Sequence, residues 1–123
     1  MRVKDAVGRY GEQLAVQHLE AAGTVVLARN WRCREGELDI VAREGDQLVF
    51  VEVKTRSSLA FGAPAEAVDR VKAARIRQLA LRWIADEREL DPSLSWSSVR
   101  FDVVAVLRRR SGAPEITQVR GAF

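Results

Sequence analysis

The stretch that decides the fold is GELDIVAREGDQLVFVEVKTR, residues Gly36 to Arg56. Two apolar, β-branched runs flank Gly45-Asp46, and two-residue loops of this composition close antiparallel hairpins. With that loop, Glu44 faces Gln47, Asp39 falls opposite Glu52, and Glu37 falls opposite Lys54. A four-residue loop centred on the same pair keeps this register, whereas a three-residue loop breaks it. Alternation then puts Leu38, Ile40, Ala42, Val49, Val51 and Val53 on one face, which must be core. Asp39, Val41, Phe50, Glu52 and Lys54 share the other face, half apolar and therefore partly covered.

The charges on that second face are the puzzle. Facing residues hold their Cβ atoms about 4.5–5.5 Å apart, and like charges there destabilise a sheet. Two carboxylates in a partly buried place repel, and one of them tends to protonate. A divalent cation between them removes the conflict, and oxygen ligands suit Mg²⁺ or Mn²⁺, which keep several waters and contact substrate phosphate. Lys54, one side-chain repeat beyond Glu52, is placed to orient a water or stabilise charge on a phosphoryl group. The competing reading makes Glu52 and Lys54 solvent-facing residues of an edge strand, with Asp39 paired to an arginine. LVFVEVK is too apolar for a simple edge.

Upstream, Val7, Gly11, Leu14, Ala15, His18 and Ala22 recur at one helical stripe, predicting a helix from about Asp5 to Ala22 with Gly23 as its stop. Glu12 lies on the rim of that stripe, beside Gly8 and Leu19. Gly8 and Gly11 are poor helix formers, and they imply close backbone approach to the sheet or to a ligand. His18, on the apolar side, reads as a satisfied core histidine. TVVLARNW (residues 24–31) predicts a first strand, followed by a turn through Arg34-Glu35-Gly36.

Downstream, Pro64 suits a first helical position, and Ala65, Val68, Ile76, Leu79, Ala80, Trp83 and Ile84 predict an amphipathic helix to about Glu87. Lys72 lies in line with Val68, Ile76 and Leu79 and so faces inward, either snorkelling to solvent or contacting a phosphate; Arg56 and Arg75 are further phosphate candidates. Trp83 reads as core packing. VRFDVVAVLR predicts a buried strand and EITQVRGAF a weaker last one. The order is α-β-β-β-α-β-β, an α/β sheet domain flanked by helices.

The 123 residues fit one domain spanning 1–123. A content of 47% hydrophobic and 30% charged residues is that of a globular rather than a disordered chain. The net charge of +3 is compatible with an anionic partner. One cysteine and one histidine exclude an intramolecular disulfide and argue against a zinc site. The sequence contains no apolar run long enough to span a membrane, so a cytoplasmic location is expected.

At this point the motifs coincide with a known pattern. GE…A…L…G in the first helix, GELDIVA, and FVEVKTR…FG, continuing through RFDVVAV to the terminal RGAF, resemble the YraN family of small bacterial proteins over nearly the whole chain. That family is similar to restriction endonucleases and archaeal Holliday-junction resolvases. The resemblance implies a restriction-endonuclease-like core in which Asp39, Glu52 and Lys54 fall on a metal-and-lysine signature. Glu12 falls on the first-helix glutamate of the resolvase branch. Leu38 stands where a proline usually precedes the first aspartate, which sets the chain apart from restriction enzymes proper.

The expectation is a metal-dependent endonuclease hydrolysing DNA phosphodiesters, with branched DNA among its substrates. Asp39 and Glu52 would hold Mg²⁺ or Mn²⁺, with the Val53 carbonyl and Glu12 as further ligands, and Lys54 would assist the nucleophile. Lys72, Arg56 and Arg75 would contact nucleic acid. A symmetric junction would call for a homodimer. The alternatives are a nucleic-acid-binding accessory protein that keeps the fold without turnover, and an interaction module with an accidental acidic cluster.

Overall fold

A computed structural model describes residues 3–57 and 68–123. The elements are α1 (Val3–Ala21), β1 (Val25–Cys33), β2 (Gly36–Glu44), β3 (Gln47–Arg56), α2 (Arg70–Leu90), β4 (Ser98–Leu107) and β5 (Glu115–Val119). Their order is the one the sequence predicts. Helix α1 ends as glycine chemistry dictates: Gly23 takes φ +86, its N–H donates to the Glu20 carbonyl, and the Thr24 N–H donates to the Leu19 carbonyl. That pair of bonds satisfies carbonyls that the helix end would otherwise leave without partners.

The five strands form one sheet in the order β1-β2-β3-β4-β5. Strands β1 to β3 are an antiparallel meander, β3 and β4 are parallel, and β4 and β5 are antiparallel. Only the β3–β4 step needs a crossover, and α2 supplies it. The start of α2 therefore lies toward the C-terminal end of β3, and this connectivity brings Lys72 to the hairpin's charged residues. The described helix starts later than its apolar pattern suggests. Asp69 is extended (φ −80, ψ 177), and its carboxylate accepts the Lys72 N–H at 2.8 Å, so it caps the helix. Val68 also precedes the helix, and the proposed start at Pro64 lies outside the described residues.

The sheet is covered on both faces. On one side Ala15, Val16 and Leu19 of α1 pack on Ile40, Ala42, Val49, Val51, Val104 and Val106. On the other, Ile76, Leu79, Ala80 and Trp83 of α2 pack on Leu38, Val41, Leu48 and Phe50. Trp83 meets Phe50 edge-on, with centroids 5.9 Å apart, the favoured geometry for an aromatic pair.

Leu38 departs from simple alternation. It shares the α2 face with Val41, although Ile40 between them packs on α1. Strand β1 misses a beat at the same level, since Ala28 and Trp31, three residues apart, both join the α2 cluster. Asn30, with φ +51, lies between the pairs Arg29↔Ile40 and Trp31↔Leu38, as Asp39 does on the partner strand. The two strands kink together, and Asp39 sits at the kink.

Gly11 packs where no side chain fits. A Cβ there would lie 1.7 Å from Thr55 Oγ1, so its glycine serves close approach of α1 to β3. Gly8, read alongside it, faces open space.

The α1 face of the sheet is clamped by a buried charge in mid-strand, at the pair Val51↔Asp102. Asp102 of β4 is 0% exposed. Its oxygens accept from Arg100 Nε and Nη2 at 2.9 Å, from Gln118 Nε2 at 3.0 Å and from the Gly121 N–H at 3.0 Å. Arg100 also donates to Gln47 at 2.8 Å and to Glu44, and these bonds hold its guanidinium above the ordinary range, Asp102 contributing most. Gln118 Oε1 in turn meets His18 Nε2 of α1 at 3.1 Å, so His18 is partnered within the packing. One network thus ties the hairpin, β4, β5, α1 and the C-terminal segment. Removing one partner of a buried, bidentate pair strands the other charge, at a cost of about 3–5 kcal/mol. Asp102→Ala is expected to lose that much stability in urea unfolding, whereas Arg120→Ala, which removes an exposed contact to Glu44 at 3.8 Å, is expected to change it by less than about 1 kcal/mol.

Candidate active site

The β2–β3 ladder runs in the expected register from Glu44↔Gln47 to Ile40↔Val51 and stops there, one pair short of Asp39 and Glu52. In such a hairpin, hydrogen-bonded pairs alternate, so the Val53 N–H would next reach across to the Leu38 carbonyl. Instead Asp39 Oδ2 accepts it at 2.9 Å. A side chain thus replaces a main-chain acceptor, and the strands part at this point. Asp39 and Glu52 are brought together by the parting strands, not by direct cross-strand pairing.

The electrostatics follow from this placement. Burial first, and then the neighbouring charge of Glu52, push the Asp39 carboxyl up to about 7, with Glu37 and Glu12 adding to the push and the Val53 N–H opposing it. Glu52 is countered by two amines: Lys72 Nζ lies 2.8 Å from its Oε1 and Lys54 Nζ 3.5 Å from it. The two lysines differ. Burial and a hydrogen bond from Lys72 hold Lys54 below the usual lysine range. Lys72 is raised: burial works against its charge, but its hydrogen bonds to Glu52 and Lys54 prevail. A lysine pushed down in this way is a better proton acceptor than a solvated one.

Glu12 reaches the same region from α1. It is 8% exposed, and its Oε1 accepts from Asn30 Nδ2 at 2.7 Å and Arg29 Nε at 3.4 Å. Among the described residues, no three His, Cys, Asp or Glu side chains are grouped as a metal cage. The donors at the parting strands are the Asp39 and Glu52 carboxylates. Mg²⁺ is commonly bound by one or two carboxylates with waters and substrate phosphate completing its shell, and the strained ionisation of Asp39 is what a cation would relieve. The residues fit such an ion.

The other candidates are distributed around this centre. Arg56 lines a cleft with Val7, Thr55 and Arg108. Arg75, one turn beyond Lys72, lines a separate cleft of about 410 Å³ with Glu35, Gln78 and Arg82. Glu37 pairs with Arg32 at 3.0 Å. Asn30 and Arg29 were not singled out by sequence reasoning; the signal for Asn30 was an asparagine inside a strand, where it is depleted unless the backbone is irregular.

The fold and the site together define a small α/β protein whose sheet opens at one end onto a half-buried cluster of two carboxylates and two lysines. The chain belongs to the uncharacterised protein family UPF0102, the YraN family, whose model matches residues 11–106. It is 59% identical over 121 residues to a UPF0102 protein of Beutenbergia cavernae, covering 98% of each chain. A UPF0102 protein of Frankia alni is 57% identical over 123 residues, covering 100% of this chain and 98% of that one. One of Rhodococcus jostii is 51% identical over 118 residues, covering 96% of each. No helix among the described residues is long and apolar enough to cross a membrane.

The raised Asp39 carboxyl has a signed consequence for stability. An unfolded aspartate ionises near 3.8 while the folded one ionises near 7, so between these values the folded state binds more protons. Asp39 therefore favours folding below about pH 4, and that contribution is lost as pH rises toward 7. Asp39→Asn keeps an acceptor for the Val53 N–H without the charge. It is expected to stay close to the wild type near pH 4, and to become more stable by on the order of 4 kcal/mol by pH 7, with little further gain above. Urea unfolding across pH 4–8 measures this.

Proposed function

We propose that this protein is a metal-dependent nuclease hydrolysing phosphodiesters in DNA, with branched or distorted structures among its substrates. The observation that carries the reading is the joining of Asp39 and Glu52 with Lys54 and Lys72 where β2 and β3 part. The resemblance to restriction-endonuclease-like proteins points the same way.

Asp39 and Glu52 would hold Mg²⁺ or Mn²⁺, with the Val53 carbonyl as a further contact and Glu12, held by Asn30 and Arg29, reaching the ion through a water. Such an ion supplies Lewis acidity to a phosphoryl oxygen and to an attacking water. The chain's own groups do the rest. Lys54, whose amine burial and Lys72 hold below the usual lysine range, would orient the attacking water and accept its proton at Nζ. Lys72, charged and on the first turn of α2, would stabilise negative charge developing on the phosphoryl oxygens. Asp69 holds that turn in place by accepting the Lys72 N–H. The Val53 N–H fixes the Asp39 carboxylate, so its orientation is set before substrate arrives. Arg56 and Arg75 would take flanking phosphates. A symmetric junction would need two such sites, which a homodimer would provide. A cytoplasmic location belongs to the same reading.

The test is incubation of purified protein with Mg²⁺ or Mn²⁺ and labelled duplex, single-stranded and four-way DNA, beside Lys54→Ala. Cleavage is expected in the wild type, with the variant slower by about 10²–10⁴-fold. Binding without cleavage would instead favour a nucleic-acid-binding accessory protein that keeps the fold. Failure to bind any of the three DNAs would remove the nuclease reading altogether.

A further inference from the structure

A second polar concavity lies beyond the carboxylate–lysine cluster, at the C-terminal ends of the parallel strands β3 and β4. In sheets containing parallel strands, ligands gather at the carboxyl ends of those strands. The cleft measures about 430 Å³ and is lined by Val7, Thr55, Arg56, Ser57 and Arg108. Among the described residues, its lining has two hydroxyls, two guanidinium side chains and no carboxylate. A neighbouring hollow of about 390 Å³ shares Ser57 and Arg108 and adds Arg109 and Arg110. The two form one basic surface beside the exit of β4.

Its geometry is fixed by the fold. The Arg108 N–H donates to the Arg56 carbonyl at 2.7 Å, continuing the β3–β4 pairing past Leu107. The Arg108 guanidinium lies over the Tyr10 ring of α1, 5.5 Å from its centroid, an arrangement that holds the cation while leaving its edge able to donate. Tyr10 is 41% exposed. Arg109 is tied to Glu115 of β5 at 2.7 Å. Thr55 is pressed against Gly11, where an added Cβ would lie 1.7 Å from its Oγ1, so the α1 wall of the cleft is in close contact with its floor.

Strand alternation turns Thr55 toward α1 and Lys54 toward α2. Ser57 is three residues beyond Lys54, about 10 Å at strand rise. A chain of phosphodiesters crossing this end of the sheet passes from the Lys54–Lys72 side to the Arg108–Tyr10 side within a few nucleotides.

The geometry points to a second phosphate-binding subsite, made by Arg108 with Ser57 over the floor that Thr55 forms, that holds the nucleic-acid backbone next to the reacting phosphodiester. It deepens the nuclease reading and rests on it only in that the bound strand continues from the Glu52–Lys54 site. Binding here needs no divalent ion, because the charged side chains of the described lining are guanidinium groups. A guanidinium on a phosphate is a charge-assisted, directional contact, and each neutralised phosphate contributes a salt slope of about 0.9 on duplex and about 0.7 on single strands. The recognised chemistry is a phosphate oxygen, and two sources offer it: free phosphate and a phosphodiester chain. Three consecutive arginines at the mouth favour the chain.

The experiment uses the full chain in EDTA, which separates this subsite from the metal chemistry. Anisotropy of labelled single-stranded and duplex oligonucleotides is recorded over a salt series for the wild type, Arg108→Ala, Arg108→Gln and Arg120→Ala. Inorganic phosphate is run as a competitor, and thermal melting checks that each variant folds. Arg108→Ala and Arg108→Gln are each expected to bind roughly tenfold more weakly near about 0.1 M salt, with the slope reduced by about 1. Arg120→Ala, which loses the same charge at the far end of the sheet, is expected to stay within about twofold. Equal behaviour of the Arg108 and Arg120 variants would overturn the subsite while leaving the nuclease reading standing. Arg108-dependent binding of inorganic phosphate without oligonucleotide binding would make this a free-anion pocket and overturn the proposal. Absence of oligonucleotide and phosphate binding by the wild type would overturn it too. Arg108-dependent oligonucleotide binding in EDTA by a wild type that cleaves nothing in the Mg²⁺ or Mn²⁺ assay would uphold the subsite and overturn only the nuclease reading.

Discussion

Everything at the polar end of this molecule depends on one hydrogen bond, from the Val53 N–H to the Asp39 carboxylate. A strand that stops pairing leaves a main-chain donor in need of an acceptor. Here the acceptor is a side chain that brings a negative charge with it. The backbone is satisfied, the strands separate, and a carboxylate is held beside Glu52 in a place that disfavours its ionisation. The paired kink at Asn30 and Asp39 makes this possible, and Glu12 stabilises the kink by accepting from Asn30.

Two neighbouring parts of the sheet treat charge in opposite ways. In the middle of β4, beside Val51, Asp102 is matched by four donated hydrogen bonds from Arg100, Gln118 and Gly121; its negative charge is compensated and locked. Where β2 and β3 part, Asp39 accepts one main-chain donor and faces other carboxylates. Buried polar groups in proteins are nearly always satisfied, so the contrast marks the first aspartate as structural and the second as the place where a ligand has something to add.

Much of the hairpin was legible in the sequence because the turn chemistry of Gly45-Asp46 fixes the register and a period of two then assigns each side chain. That logic located Glu52, Lys54 and the partners of Val49 to Val51 correctly, and the helical stripe put Lys72 inward, where it meets Glu52. It misplaced Leu38 because alternation assumes an unbroken pleat, and here the pleat breaks in β1 and β2 together, at Asn30 and Asp39. Asp69 was read into the helix for a similar reason: apolar periodicity continues through Val68, while the cap depends on a bond that periodicity does not contain. Asp102 went unremarked among valines, although an arginine two residues earlier shares its side of the strand. Buried aspartates of this kind reveal themselves only when donors from distant segments, here Gln118 and Gly121, are brought to them.

The crossover helix carries a built-in optical handle. Trp83 is 4% exposed and touches Phe50, and Trp96 packs on it with centroids 6.2 Å apart, while Lys72 stands three turns earlier on the same helix. A rigid rod that bears an ammonium at one end and an indole near the other converts any tug on the first into a displacement of the second. The intrinsic fluorescence of the untouched polypeptide is therefore a label-free gauge of events around Glu52.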